Sequence, residues 1–145
     1  MCGNPATVLI IESHPMMRAA LCAAIADESD LMIGAIAADG ADVLQMAETL
    51  QPDLILFSLD NPDADELKAL KSLHEKLPSA SILALTSNEV EGQSQAALEN
   101  GAHSVLTKAA PRAELIRTLR ELQTKTLIHH LEENIKKGAD QTIAK

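Results

Sequence analysis

The chain has almost no aromatic residues, with one phenylalanine among 145 residues and no tyrosine or tryptophan. Proteins that bind single-stranded nucleic acids stack bases on aromatic side chains, and nucleic-acid binders in general present a basic surface. Both features are missing, because 21 acidic residues outweigh 12 basic ones and give a formal net charge of −9. We therefore expect no nucleic-acid contact by this domain.

Cysteines and long apolar runs are equally scarce. Cys2 and Cys22 are too few for a disulfide framework, and the sequence has no CxxC or His/Cys cluster that would suggest zinc. The apolar runs fall short of the roughly 18 residues that a membrane-spanning helix needs, and no signal peptide opens the chain. The expectation is a cytoplasmic protein.

The sequence does contain a regular alternation of short apolar runs and amphipathic stretches. The apolar runs are bounded by polar residues, proline or glycine, which favours buried strands. The predicted strands are Thr7–Ile11, Leu31–Ala37, Leu54–Phe57, Ser81–Leu85 and Ser104–Thr107. Helical patterns between them predict helices over Pro15–Ala26, Val43–Leu50, Asp65–Leu77 and about Val90–Asn100, and a fifth helix from Pro111.

Strict alternation of five strands and five helices predicts a single α/β domain. Right-handed crossovers place such strands parallel, with helices on both faces of the sheet. The near-continuous apolar character of the strands fits burial on both sides. Gly101 is expected to end the fourth helix in a left-handed conformation.

The sequence predicts a domain over residues 6–123, followed by a helical tail or linker over residues 124–145. The apolar stripe of the fifth helix slips after Leu122 and reappears at Ile128, Leu131 and Ile135, so the segment is one long helix or two. Residues after Gly138 are expected to fray. The three late apolar residues form either a surface for a partner, such as a second copy, or a contact with the chain's own domain.

Polar residues follow four of the five predicted strands at the carboxyl edge of the sheet, where open parallel sheets carry their chemistry. They are Glu12 and Ser13, Ser58, Thr86 with Ser87, and Lys108.

These residues and the stretches around them resemble the receiver domain of bacterial two-component response regulators. The matching stretches are 9–15 (LIIESHP), 52–62 (PDLILFSLDNP), 83–87 (LALTS) and 101–108 (GAHSVLTK). The resemblance covers about residues 6–123 and implies a flavodoxin-like fold with strand order 2-1-3-4-5. The His-Pro after the first strand is most similar to the NarL/FixJ class, whose receivers usually precede a helix-turn-helix DNA-binding domain.

The chain departs from this family at the acidic site. The resemblance implies two acidic residues after the first strand and an aspartate ending the third, which together bind Mg²⁺ and accept a phosphoryl group from a histidine kinase. Here these positions hold Glu12, Ser13 and Ser58. A divalent cation needs several oxygen ligands, preferably charged, and a serine hydroxyl cannot form an acyl phosphate. We expect no catalytic residue, no metal ligand and no Mg²⁺.

The remaining site residues are expected to satisfy one another. Glu12 can pair with Lys108, while Ser13, Ser58 and Thr86 supply neutral hydrogen bonds. The family's aromatic switch in the fifth strand is replaced by Val105, which is too small and rigid to change rotamer in the same way.

Asp60 is the alternative acceptor, because it lies two residues beyond Ser58 and its side chain could reach the site. For Asp60, Asp63 and Asp65 a solvated loop position or a helix cap is the expected role. A Ser58–Lys108 hydrolytic pair lacks an oxyanion turn, and His14 is expected to face solvent. His129 and His130 have no partners at ligand spacing.

The leading hypothesis is a degenerate receiver of two-component signalling that acts by protein–protein interaction without phosphorylation. It would be no enzyme itself, and it would be the regulatory part of a longer transcriptional regulator that contacts DNA through another domain. The alternative is a working receiver that uses Asp60 with Mg²⁺.

Overall fold

The structure is a computed structural model that describes residues 5–38, 43–60, 64–86 and 92–143. Within these ranges strands and helices alternate along the chain. In chain order they are β1 Ala6–Ile11, α1 Pro15–Ala26, β2 Leu31–Ala37, α2 Val43–Leu50, β3 Leu54–Leu59, α3 Ala64–Lys76, β4 Ser81–Thr86, α4 Gln93–Glu99, β5 Ser104–Thr107 and α5 Arg112–Ile143.

The strands form one parallel sheet in the order β2-β1-β3-β4-β5, which confirms the predicted fold. Alternate residues of each central strand face opposite sides. Val8, Ile10 and Leu56 pack with α1 and α5 on one side, and Leu9 and Ile55 pack with α2, α3 and α4 on the other. Burial on both faces explains why these strands are apolar at most positions.

Strand register brings the carboxyl ends of the central strands to one edge. Ile11 of β1 is paired with Phe57 of β3, and Thr86 of β4 is paired with Leu59 on one side and Thr107 on the other. The residues after each strand therefore start from nearly the same level of the sheet. This register creates the site described below.

Helix α4 begins later than the sequence predicted. The structure has α4 over Gln93–Glu99, with Gly92 before it at a φ of 83°. Val90, from which the helix was expected to start, lies outside the described residues, as does Ser87. A glycine at positive φ is not helical, so the helix starts only after it.

Helix α5 is one continuous helix of 32 residues, which settles the choice between one helix and two. It packs on the sheet as far as Thr126, which is 4% exposed and whose hydroxyl lies 2.5 Å from that of Ser81. The helix runs through the predicted boundary at residue 123 and, instead of fraying after Gly138, continues to Ile143. The division into a domain and a tail stays a prediction.

Beyond Thr126 the helix leaves the domain surface. Leu127, Ile128, Leu131 and Ile135 are 50–71% exposed. The alternative in which these residues fold back on the domain is therefore wrong for this structure. In the described part of the chain, no helix is both long and apolar enough to cross a membrane.

Gly101 ends α4 at a φ of 114°, which confirms the expected glycine cap. Its backbone passes so close to α3 that a Cβ atom there would lie 2.6 Å from the Cβ atom of His74. Glycine is therefore needed at this position for two reasons, the dihedral angle and the close approach.

We predict that Gly101→Ala lowers the free energy of unfolding more than Gly92→Ala does. Both substitutions strain a positive φ, which costs roughly 1–2 kcal/mol. Only Gly101→Ala adds an overlap, worth about 1–3 kcal/mol, because a Cβ at Gly92 has no atom within 4 Å. Urea denaturation of the two variants measures the difference, and equal losses would contradict the close approach to His74.

Candidate functional site

The site lies at the carboxyl edge of the sheet and is centred on Glu12, the residue that follows β1. Its side chain is fully buried. Burying an ionised carboxylate is costly unless hydrogen bonds or opposite charges compensate it. The contacts of Glu12 therefore determine what the site can do.

Two neighbours donate hydrogen bonds to the Glu12 carboxylate. The Ser58 hydroxyl donates to Oε1 at 2.6 Å, and the backbone N–H of His14 donates to Oε2 at 3.1 Å. Lys108 adds a positive charge, with Nζ 3.8 Å from Oε1. The expected pairing of Glu12 with Lys108 thus exists, but only as the longer of two contacts that the lysine makes.

The closer partner of Lys108 is Asp60, whose Oδ1 accepts a hydrogen bond from Nζ. The Ser13 hydroxyl donates to Oδ2 of Asp60 at 2.5 Å. Burial raises the pKa of Asp60, but the hydrogen bonds from Lys108 and Ser13 outweigh burial and hold this pKa below its usual value. The expectation of a solvated loop aspartate is therefore wrong for Asp60, since its side chain turns back into the site.

His14 borders the site and is mostly exposed to solvent, as expected, but the sequence analysis did not predict its contacts with the two carboxylates. Its side chain is 64% exposed, yet its Nδ1 atom lies 3.3 Å from Oε2 of Glu12 and 3.4 Å from Oδ1 of Asp60. The available signal was position: His14 is two residues after Glu12 and directly precedes Pro15, which begins α1.

The other residues that the sequence analysis singled out lie at or near this edge. Thr86 is buried at the end of β4, and its carbonyl oxygen accepts the backbone N–H of Lys108 at 2.8 Å. Val105 is half-buried in β5 and packs against the core. Asp65 is exposed in the first turn of α3, while Asp63 lies outside the described residues.

A cavity of about 370 Å³ opens beside Glu12 and Ser58. It is lined by apolar Ile11 and Phe57 and by the carboxylates of Glu12 and Asp60. The cavity has room for a small ligand or ion beside these acidic residues.

A doubly wound parallel sheet with a buried acid after β1, a polar residue near the end of β3 and a lysine after β5 defines a class of signalling domain. A family profile described as "Response regulator receiver domain" matches residues 8–120. The chain belongs to this family.

Curated relatives and solved structures agree with this assignment. The chain is 33% identical to the nitrate/nitrite response regulator NarL of Escherichia coli K12 over 81% of its own length and 55% of that protein. It is 32% identical to the transcriptional regulatory protein LiaR of Bacillus subtilis over 78% of its length and 54% of that protein. The chain thus spans about half the length of these relatives.

The structural comparison gives the same fold. The response regulator domain of Thermotoga maritima CheB has a TM-score of 0.73 at 26% identity and covers 83% of this chain and 98% of its own. The signal receiver domain of the putative NarL of Mycobacterium tuberculosis has a TM-score of 0.76 at 21% identity and covers 84% of this chain and 98% of its own. At that lower identity the second likeness shows the fold alone.

We predict that Ser58→Ala destabilises the domain more than Ser13→Ala. The first change removes a hydrogen bond to a fully buried carboxylate and should cost about 1.5–3 kcal/mol of unfolding free energy. The second removes an exposed bond to Asp60, which keeps Lys108, and should cost about 0.5–1 kcal/mol. Urea denaturation of both variants tests this, and a larger loss in Ser13→Ala would show that the Glu12–Ser58 bond is not the anchor of the site.

Proposed function

We propose that this chain is a degenerate receiver domain that acts in two-component signalling without being phosphorylated. The observation that carries the proposal is Ser58, which stands where the family resemblance implies the phosphoryl-accepting aspartate. Its hydroxyl donates to a buried carboxylate.

The chemistry of phosphoryl transfer supports this proposal. Transfer to an aspartate forms an acyl phosphate, which an alcohol cannot form, and a serine is a weak nucleophile without a base that removes its proton. Glu12 accepts the Ser58 proton in a hydrogen bond but is also held by the N–H of His14. Transfer of that proton to Glu12 would leave an alkoxide beside a neutral carboxylic acid, and this is unfavourable because an alcohol is a far weaker acid than a carboxylic acid.

The residues present do not fit Mg²⁺, the ion that the family resemblance implies. Mg²⁺ requires near-octahedral oxygen ligands and normally binds one or two carboxylates together with phosphate oxygens. Two of the three expected carboxylate positions are Ser13 and Ser58, which leaves Glu12, and the neighbouring Asp60 is already paired with Lys108. We therefore derive no step through Mg²⁺.

The proposed role is a protein-interaction domain of a transcriptional regulator. NarL is named a nitrate/nitrite response regulator and LiaR a transcriptional regulatory protein. Both extend well beyond the segment that this chain matches. We infer that DNA contact belongs to a domain outside the matched segment, since this one is acidic, with a net charge of −9. The proposal includes a cytoplasmic location and no enzyme activity of the domain itself.

A second candidate function is favoured by one observation. Asp60 reaches the site and binds Lys108, which makes it the one described aspartate whose carboxylate could replace the missing acceptor. In this alternative the chain is a working receiver that is phosphorylated on Asp60 with Mg²⁺ in place.

Exposure to acetyl phosphate with Mg²⁺, followed by intact mass measurement, distinguishes the two functions. The proposal predicts no added phosphoryl group on the chain, because none of the residues that the structure describes combines an acceptor carboxylate with a metal cage. An added phosphoryl group that disappears in Asp60→Asn would overturn the proposal in favour of the second candidate.

The double variant Ser13→Asp/Ser58→Asp serves as the positive control. It restores the acidic positions, so we expect it to gain phosphoryl mass and Mg²⁺-dependent NMR shifts. Ser58→Asp alone should bind Mg²⁺ less well, because Ser13 still withholds a ligand.

The partner surface that we propose is the exposed part of α5. Ile128, Leu131 and Ile135 follow one another at spacings of three and four residues, as in the seam of a two-helix coiled coil. Lys125 and Glu132, seven residues apart, flank this stripe on one side with opposite charges. We infer that a second copy of the chain covers it.

We predict that the full chain sediments as a dimer and that Leu131→Gln/Ile135→Gln sediments as a monomer. The substitutions remove most of the exposed apolar stripe without touching the packed part of the helix. Lys136→Gln, an exposed change on the same turn, should leave the dimer intact. A monomeric full chain would contradict self-association.

A further inference from the structure

Two histidine side chains meet near the amino edge of the sheet, at the opposite end of the strands from the acidic site. His74 lies on α3 and His103 directly precedes β5, and their rings pack edge to face with centroids 5.5 Å apart. Gly101 allows this approach, because a Cβ atom there would overlap the His74 side chain. The pair therefore joins α3 to the connection between α4 and β5.

His103 is bound to β4 through both its backbone and its ring. Its backbone N–H donates to the carbonyl oxygen of Ile82 at 2.8 Å, and its ring atom Nδ1 accepts the backbone N–H of Ile82 at 2.9 Å. The paired residues of β4 and β5 begin only at Leu83 and Ser104. The His103 ring thus takes the place of a backbone carbonyl just before β5 starts.

The bond from Ile82 requires a neutral His103 ring with its proton on Nε2. A protonated imidazole carries an N–H on both ring nitrogens and has no lone pair left to accept a hydrogen bond. Protonation would therefore set two N–H groups against each other. It would also leave the backbone N–H of Ile82, a fully buried residue, without its acceptor, which is costly.

We propose that this histidine pair is an acid-sensitive switch at the start of β5. A proton from the solvent binds to Nδ1 of His103 and breaks the hydrogen bond from Ile82, and the ring turns out into water. The connection between α4 and β5 is then released from β4 and from α3. The proposal is independent of the function proposed above, because it uses none of the residues of the acidic site.

The surroundings of His103 favour the neutral ring. Partial burial, His74 on α3 and Lys125 on α5 each lower the pKa of His103 from its usual value. From β4 the ring meets the backbone N–H of Ile82, which also opposes a positive charge on Nδ1. His103 nevertheless belongs to the exposed residues, so a protonated ring can reach water without crossing the core.

The direction of the pH effect follows from this lowered pKa. The stabilisation by the neutral ring is complete above the usual histidine pKa of about 6.5. It is lost as the pH falls below that value towards the lowered pKa of the folded protein. Asp30 and Asp60, whose pKa values are lowered as well, titrate in more acidic solution. A comparison of about pH 7.5 with about pH 5.5 therefore separates the histidines from these carboxylates.

Amide hydrogen exchange of Ile82, followed by NMR in the full chain, tests the proposal. The exchange rate is divided by the intrinsic rate at each pH, so that only the opening of the bond is compared. From pH 7.5 to pH 5.5 we expect the protection of Ile82 to fall several-fold. The fall should reach at most about tenfold, since an open state that binds one proton gains about tenfold per pH unit below its pKa. Unchanged protection in the wild type would overturn the proposal.

His103→Asn is the matched variant. The side-chain oxygen of asparagine can accept the N–H of Ile82 in place of Nδ1, but asparagine does not titrate. In folded His103→Asn the protection of Ile82 should therefore be the same at both pH values. A fall as large as in the wild type would show that another group is responsible.

The contribution of His74 is tested by His74→Gln. Removal of the neighbouring imidazole takes away one of the groups that lower the pKa of His103, so the loss of protection at Ile82 should move to higher pH. No shift, or a shift to lower pH, would contradict a role of the pair.

Two further measurements do not depend on these variants. Nitrogen NMR of the wild type at pH 7.5 should find the proton of His103 on Nε2, and a proton on Nδ1 would rule out the bond from Ile82. His129→Gln/His130→Gln removes two histidines from α5 and should keep the wild-type response of Ile82. Loss of the response in this control would assign it to α5 and overturn the proposal.

Discussion

The buried carboxylate of Glu12 is the constraint on which the site depends. An anion without solvent exposure must be compensated in place, and here a hydroxyl, a backbone amide and a nearby ammonium group share that task. The arrangement explains how the sheet edge stays stable with only one acid directly after β1. It also explains why Ser58 is compatible with the fold, since it supplies a hydrogen-bond donor where an aspartate would add another negative charge.

The contact between Asp60 and Lys108 is the second part of the charge compensation in this site. If Lys108 were left with Glu12 alone, the ammonium group would be 3.8 Å from its nearest anion, and Asp60 reduces that deficit by direct contact. The site thus keeps a carboxylate in contact with Lys108, but on a loop residue instead of a strand residue. A loop carboxylate can move without disturbing the sheet, which makes this contact the adjustable part of the site.

The fold could be predicted from the sequence because its signals are local and repeated. The central strands are apolar at most positions, since helices cover both faces, and Pro15 and Gly101 mark a helix start and a helix end by backbone geometry. The strand ends then identified Glu12, Ser13, Ser58, Thr86 and Lys108 correctly as neighbours of one edge.

The sequence could not predict the contacts that depend on the direction in which loop side chains point. The contact of Asp60 with Lys108 joins residues 48 positions apart, and spacing alone does not distinguish it from Asp65, which faces solvent. The same holds for His14, whose ring nitrogen faces both carboxylates although most of its side chain is exposed. The apolar residues of α5 up to Leu122 pack on the sheet as their spacing predicts, whereas the contact between the hydroxyl groups of Thr126 and Ser81 is one that no apolar periodicity reveals.

The unbroken course of α5 has a mechanical consequence. About 17 residues extend past Thr126, which at 1.5 Å per residue is a rigid arm of roughly 25 Å. A change of about 10° in the tilt of the packed segment would swing the end of this arm by about 4 Å. A small change in the tilt of α5 at the sheet would therefore displace the far end of the helix far enough to separate or join two surfaces.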